Sequence, residues 1–385
     1  MSRLSNMFRI THKWVAIFLA FPLLFVFVTG VFLQVRKPVD WIQPSAEKGT
    51  ARFNPQVTPN QVLTAIQGIP EMNVKSWSDL KVTDYRPKKG IIKVRNPQEL
   101  ETQIDATTGK VLKTQQRWND FINQMHDGSA FGARLWLFLP IALFTLYLTL
   151  SGTYMLVIIT TRKIRSVLQS NRPRKFRQRR FSFSLFCVKA HYWLALVVLL
   201  PWLVVLVSGL VLQVRQELGV EPIFAQGSAT VPVLNYQQVL QITKTIPELG
   251  VEDWPDVWRV YTYPTKGLME VRTKRGITAQ IDAASGEILS IVPRSSDFWE
   301  DIHQGIFGRH HLHSGDITPK EKIDLALNIF LPASIVIILV LTTGVVFFVR
   351  KEIILQRRGP ATRLKETAPL SSSKSGLHQS SGRTP

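Results

Sequence analysis

THKWVAIFLAFPLLFVFVTGVFLQVRK (Thr11–Lys37) returns 179 residues later as AHYWLALVVLLPWLVVLVSGLVLQVRQ (Ala190–Gln216). His12, Trp14, Pro22, Gly30, Gln34 and Arg36 fall on His191, Trp193, Pro201, Gly209, Gln213 and Arg215. Each copy opens on a histidine and then runs apolar for the roughly 20 residues that a bilayer core requires. The chain is therefore written twice, and the duplication governs every later reading.

Two further apolar runs, Leu135–Ile159 and Leu325–Val349, complete a set of four with Lys13–Val35 and His191–Val214. None has the polar face of a soluble core helix. Between the runs, IPEMNVKSW matches IPELGVEDW, PKKGIIKVR matches PTKGLMEVR, and QIDATTGKVL matches QIDAASGEIL, all at an offset of 177. The second helix pair aligns Pro140 and Gly152 with Pro332 and Gly344 at an offset of 192, so the second half carries an insertion. Both halves run helix, extramembrane segment, helix, starting on the same side. That is a parallel repeat about an axis along the membrane normal. The fold class expected is a membrane α-helical four-transmembrane-helix bundle built from a parallel internal repeat, with two small α+β periplasmic units.

The division follows. Helix 1 with its N-terminus takes 1–36, the first unit 37–125, helix 2 126–160, a basic loop 161–189 and helix 3 190–215. The second unit takes 216–302, a His-rich insertion 303–324, helix 4 325–350 and a disordered tail 351–385. Within the units PNQVLTAIQGI and NYQQVLQITKTI have helical apolar spacing. IIKVR, TQID and KVL read as short strands, with TTGK and ASGE closing hairpins.

The net charge of +20 sits beside the spans: Arg162–Arg180 holds nine Lys/Arg and no acid, and the tail after Val349 is basic too. Basic flanks mark the cytoplasmic side, which places both termini and the 161–189 loop inside. This charge suits lipid headgroups and topology, and nucleic acid is not an expected partner. The first run is too long for a signal-peptide core and lacks a small-residue cleavage site, so it reads as an uncleaved anchor. The one cysteine, Cys187, permits neither an intrachain disulfide nor a CxxCH haem attachment.

Histidines recur at matched depths. His12 and His191 open the first and third helices, and His126 in MHDG aligns with His303 in IHQG. His313 in LHSG repeats the local pattern nearer the fourth helix. Ionisable groups at membrane depth point to function. Two neutral imidazoles facing each other form the axial set of a b-type haem. The helices also carry Thr29–Gly30, Ser151–Gly152, Ser208–Gly209 and Thr343–Gly344, which read either as helix-packing contacts or as room for a flat cofactor. On the second reading an inner haem hangs on His12 and His191 against Gly152 and Gly344. An outer one hangs on His126 and either His303 or His313, against Gly30 and Gly209. Zinc at His303, His310, His311 and His313 is the alternative for the insertion. Trp14 and Trp193 read as interface anchors. The sequence carries no GxGxxG after a strand, no P-loop and no HExxH motif.

The [LIM]-H-x-G before a span, the small–Gly pair near its end and the external QIDAxxGxxL unit resemble the PepSY-associated transmembrane family over nearly the whole chain. Within it the layout is most similar to FoxB-type siderophore reductases and PiuB-like iron-uptake proteins. The resemblance implies two b-type haems across a bacterial inner membrane and reduction of ferric siderophores on the periplasmic side, fed by a cytoplasmic reductase or a quinol. Two other classes stay open. One is a membrane-tethered PepSY-type binding or inhibitory regulator of a periplasmic protease. The other is a siderophore or metal permease, against which the lack of a mid-span ionisable residue argues.

Overall fold

The computed structural model describes residues 3–169, 182–221, 223–228, 231–307 and 323–357. Four helices are long and apolar enough to cross a membrane: α1 (Arg3–Gln34), α4 (Leu139–Leu168), α5 (Phe183–Gln213) and α8 (Leu331–Arg357). Short π-helical turns, Arg134–Phe138 and Ala326–Phe330, lead into α4 and α8. Pro22 and Pro201 lie inside α1 and α5, where neighbouring helices compensate for the lost backbone bond. α1 packs on α4 and α8, and α5 packs on α8 and α4, so the bundle closes as a square. α1 and α5, the helices of the quoted repeat, stand on opposite corners.

The remainder forms a roof over one end of the bundle. The first half supplies α2 (Pro59–Gln67), β1 (Val82–Arg86), β2 (Ile91–Arg95), β3 (Leu100–Asp105), β4 (Val111–Gln116) and α3 (Asn119–Asp127). The second supplies α6 (Tyr236–Lys244), β5 (Val257–Tyr263), β6 (Leu268–Thr273), β7 (Ile277–Asp282), β8 (Ile288–Pro293) and α7 (Ser296–His303). A small pair, β9 (Ile306–Phe307) and β10 (Ile323–Asp324), flanks the insertion. His310, His311, His313 and the tail with His378 lie outside the described residues.

The two units expected from the sequence are not separate. Their strands make one antiparallel sheet in the order β4-β3-β2-β1-β5-β6-β7-β8. The join pairs Thr83 with Thr262, Asp84 with Tyr261 and Tyr85 with Val260. Asp84 and Tyr261 are related by the repeat offset of 177, so the repeat axis passes between them. On one face Tyr85 is fully buried, 4.7 Å from Tyr236 and 5.0 Å from Trp254 of the other half. A single apolar core therefore runs under α2 and α6. Each of those helices starts on a capping box, Thr58 with Gln61 and Asn235 with Gln238.

The repeated QID explains how the other, polar face is covered. Gln103 donates to the carbonyl of Ser45 and accepts from the amide of Glu47; Gln280 does the same with Ile223 and Ala225. Asp105 and Asp282 accept amide hydrogens from Thr50 and Ser228 and from the turns at Thr107 and Ala284. Gly109 and Gly286, at φ +74° and +81°, close those turns in the left-handed region. The linkers from α1 and α5 are thus strapped across the polar face, which turns toward the bundle.

Because Tyr85 packs across the join, Tyr85→Ala should cost about 3 kcal/mol or more and loosen both halves. Amide hydrogen exchange would show lost protection on β6–β7 as well as β2–β3. Loss confined to the first half would contradict a shared core.

Candidate functional site

The four aligned histidines are held in the same way. His126 Nδ1–H donates to the carbonyl of Val26 at 3.0 Å and lies 3.1 Å from Thr29 Oγ1. His303 Nδ1–H donates to the carbonyl of Val205 at 3.0 Å and lies 3.2 Å from Ser208 Oγ. His191 Nδ1–H donates to the carbonyl of Val340 at 2.9 Å. His12 Nδ1 lies 2.9 Å from Ser151 Oγ, whose own hydroxyl donates to the carbonyl of Leu148. Each of these four carbonyls belongs to the residue four before a glycine of a small–Gly pair. A carbonyl partner fixes the proton on Nδ1 and leaves Nε2 as the lone-pair nitrogen, the arrangement that orients metal-binding imidazoles.

The glycines serve these rings. A Cβ on Gly30 would meet His126 Cε1 at 3.2 Å, on Gly152 His12 Cε1 at 3.2 Å, on Gly209 His303 Cε1 at 3.0 Å and on Gly344 His191 Cε1 at 3.4 Å. The small–Gly pairs, read from sequence as room for a flat cofactor, are seats for imidazoles. Hydroxyl and missing Cβ together let a ring reach a carbonyl on a neighbouring helix. The grouping by layer is as the alignment has it: Gly152 and Gly344 lie with His12 and His191, Gly30 and Gly209 with His126 and His303. Each half seats both of its own histidines, and the repeat brings the halves face to face.

His126, expected to open the second span, instead closes the short helix α3, and His303 closes its counterpart α7. α3 rests on α1 and α7 on α5. The two rings stand 6.2 Å apart between centroids at 57°. Burial pushes both imidazoles down to about 4, helped for His303 by the neighbouring His126. Both are therefore neutral at pH 7. His12 and His191 are electrostatic neighbours at the other end of the bundle. Between the two pairs Leu23, Phe27, Ile141 and Trp202 pack as an apolar layer. Phe27 and Trp202 lie 5.3 Å apart, and Trp202 Nε1 donates to Thr149 Oγ1 at 2.9 Å.

A cavity of about 520 Å³ opens between His126, His303 and the polar face of the sheet, bounded above by Arg86, Arg259 and Arg272. That volume lies within the range of about 300–1,000 Å³ usual for small-molecule sites. The ring separation is what two imidazoles need to approach one metal from opposite sides, with metal–nitrogen bonds of about 2 Å. Two neutral imidazoles with anchored Nδ1 beside a cavity are a donor set that would suit a b-type haem. Among the described residues no group of three or more His, Cys, Asp or Glu is placed to hold a metal ion. The zinc alternative for the insertion has only His303 within the described residues, and that ring is committed to its seat. His313 cannot be compared with His303, since it lies outside them.

The sequence did not reveal the carbonyl acceptors, because backbone groups have no residue signature. It also did not reveal the cationic lining above the cavity, because Arg and Lys alternating along KVTDYR and IIKVR look like any solvated strand face.

The family described as the PepSY-associated TM region matches residues 9–351 of the chain. No curated protein matches it.

The seats rank the glycines. Gly209→Ala brings its Cβ to 3.0 Å from His303 and should lower the thermal midpoint in detergent by the overpacking cost of about 1–3 kcal/mol. Gly344→Ala, at 3.4 Å from His191, should change it little. Equal effects would mean that ring clearance is not what these glycines provide.

Proposed function

Because this multi-pass membrane protein belongs to the PepSY-associated transmembrane family, we propose that it is a di-haem b electron conduit. In this reading it reduces ferric siderophores on the periplasmic side of the bacterial inner membrane and releases ferrous iron, like the FoxB-type and PiuB-like proteins it resembles. The observation that carries the reading is the stacking of two histidine pairs, each ring on the same glycine–carbonyl seat, along the axis of the repeat.

A bound haem would supply one-electron transfer, and the chain supplies position and environment. His12 and His191 would hold one, His126 and His303 the other. The carbonyl seats keep the Nδ1 protons in place, so Nε2 of each ring stays unprotonated and correctly aimed. Leu23, Phe27, Ile141 and Trp202 lie between the layers and give that space an apolar lining. The His12–His191 pair lies at the end that a cytoplasmic reductase or a quinol would feed, and the His126–His303 pair lies beneath the sheet, where a ferric chelate would be held. Hard oxygen donors hold ferric iron far better than ferrous iron, so reduction loosens the chelate. The basic flanks of the spans support a cytoplasmic location for both termini, with membrane lipid as the constant partner.

A second reading is a membrane-tethered binding or inhibitory regulator of a periplasmic protease, or a permease. The family match favours it as much as it favours the conduit. So does the lack, among the described residues, of a cluster of three metal-binding side chains.

Colour separates the two. Purified protein should give a reduced-minus-oxidised b-type spectrum with two haems per chain. The double variant His12→Ala/His191→Ala should keep one. Colourless protein would remove the conduit and favour the regulator, and two haems in the double variant would refute the layer assignment.

A further inference from the structure

Beside the main cavity a second opening of about 410 Å³ leads outward between the sheet and α3. The two share seven lining residues, Arg117, Asp120, Asn123, Asp127, Arg215, Tyr261 and Arg272, so this cleft adjoins the cavity beside the His126–His303 layer. Five cations line it, Lys81, Arg95, Arg117, Arg215 and Arg272, against two carboxylates, Asp120 and Asp127.

Asp120, which lines the cleft, pairs with Arg95 and Arg117, and the remaining carboxylate partners do not line it. Lys81 pairs with Glu99, Arg117 with Glu101, Arg215 with Glu221 and Arg272 with Glu270; in all four the carboxylate is the more deeply buried partner and lies outside the lining. Lys81 is 38% exposed against 12% for Glu99. Arg215 and Arg272 meet their carboxylates through Nε, which leaves the paired terminal nitrogens of each guanidinium for a ligand. Those nitrogens form the fork that matches a carboxylate or other anionic oxygen pair. Arg272 is also stacked over Tyr261 at 4.3 Å, which holds its plane in place.

The duplication supplies a control. The offset of 177 carries Lys81, Asn123 and Gln124 of this cleft onto Trp258, Glu300 and Asp301. The offsets also carry Tyr263 onto Arg86 and Tyr261 onto Asp84, and Arg95 and Arg272 are each other's counterparts, so both faces carry five cations. The cleft sets two carboxylates against them and its counterpart four, Asp84, Asp297, Glu300 and Asp301. The excess of positive charge is thus larger on the side of the cleft.

We propose that the cleft of Lys81, Arg95, Arg117, Arg215 and Arg272 is a selective entry site for anionic, carboxylate-bearing metal chelates. This specificity rests on the reductase reading above and narrows its substrate class. Neutral or cationic chelates gain nothing from the cleft. The same chemistry also suits the carboxylates of a bound haem, and the test separates the two sources.

Redox-inert gallium(III) citrate and a cationic gallium(III) trihydroxamate are titrated calorimetrically into detergent-purified full-length protein. The citrate complex should bind at least roughly tenfold more tightly and weaken as salt is raised. Lys81→Gln/Arg215→Gln should lose roughly tenfold in citrate affinity, the scale of one charge-assisted hydrogen bond, with trihydroxamate binding and haem content unchanged. Lys81→Gln alone, at a half-exposed position, should show part of the loss if the double variant fails to fold. Equal affinity for the two chelates, or full citrate affinity in the variants, would overturn the proposal. So would loss of haem without loss of citrate binding, which assigns the cations to the cofactor. Charge-selective binding without reduction of ferric citrate would remove the reductase and leave the cleft. Reduction of both chelate types without selectivity would do the reverse.

Discussion

An imidazole N–H donating to a helix carbonyl is the interaction on which this molecule is organised. A carbonyl inside a helix is already engaged by the amide four residues on, and side chains normally shield it. Removing the Cβ at that fourth residue exposes the carbonyl edge, and a hydroxyl one position earlier adds a second oxygen for the approaching ring. Three rings make it directly, at Val26, Val205 and Val340, and His12 reaches Leu148 by way of Ser151 Oγ. It explains why the helices pair as they do: α3 with α1, α1 with α4, α7 with α5 and α5 with α8. Each pairing carries one seated ring, so helix contacts and ring orientation are set by the same groups.

The sheet has the complementary task. Two halves in a bilayer have little hydrophobic force to bring them together, since lipid is as apolar as their own side chains. Outside the bilayer that force is available. Tyr85, Tyr236 and Trp254 bury themselves across the join, and β1 pairs with β5 around the same axis that relates the histidines. The soluble core thereby registers the membrane-buried halves, and the distance between His126 and His303 depends on packing well above them.

Much of this could be read from the chain. The four spans, the strands of PKKGIIKVR and QIDATTGKVL and the helices at Val62 and Val239 follow from periodicity and caps. The assignment of each glycine pair to a histidine layer follows from the repeat alone. What escaped has physical reasons. The fusion of the two units rests on three backbone pairs between edge strands, and backbone pairing leaves no trace in side-chain pattern. The glycines announced that space was needed but not for what, since ring and cofactor ask for the same missing Cβ. His126 was placed on a span because α3 leads within a few residues into the π turn that starts α4, and His303 was placed in the insertion although it closes α7 just before it. Charges of the polar face look solvated in sequence because their burial comes from linkers strapped over them by Gln103 and Gln280.

Those straps also set the mechanics of the molecule. A domain joined to a bundle by two free linkers can swing, and the space beneath it then varies in height. Here each linker is pinned midway by a glutamine amide and an aspartate. The rim is also stitched to the bundle side, with Arg36 on Gln304 and Gln213 on the carbonyls of Asp127 and Arg134. The structure is a vault, braced at both springings, with its keystone at the Asp84–Tyr261 pair. A vault of this kind holds the clearance beneath it constant, so a guest passes in and out at the side without the roof being raised.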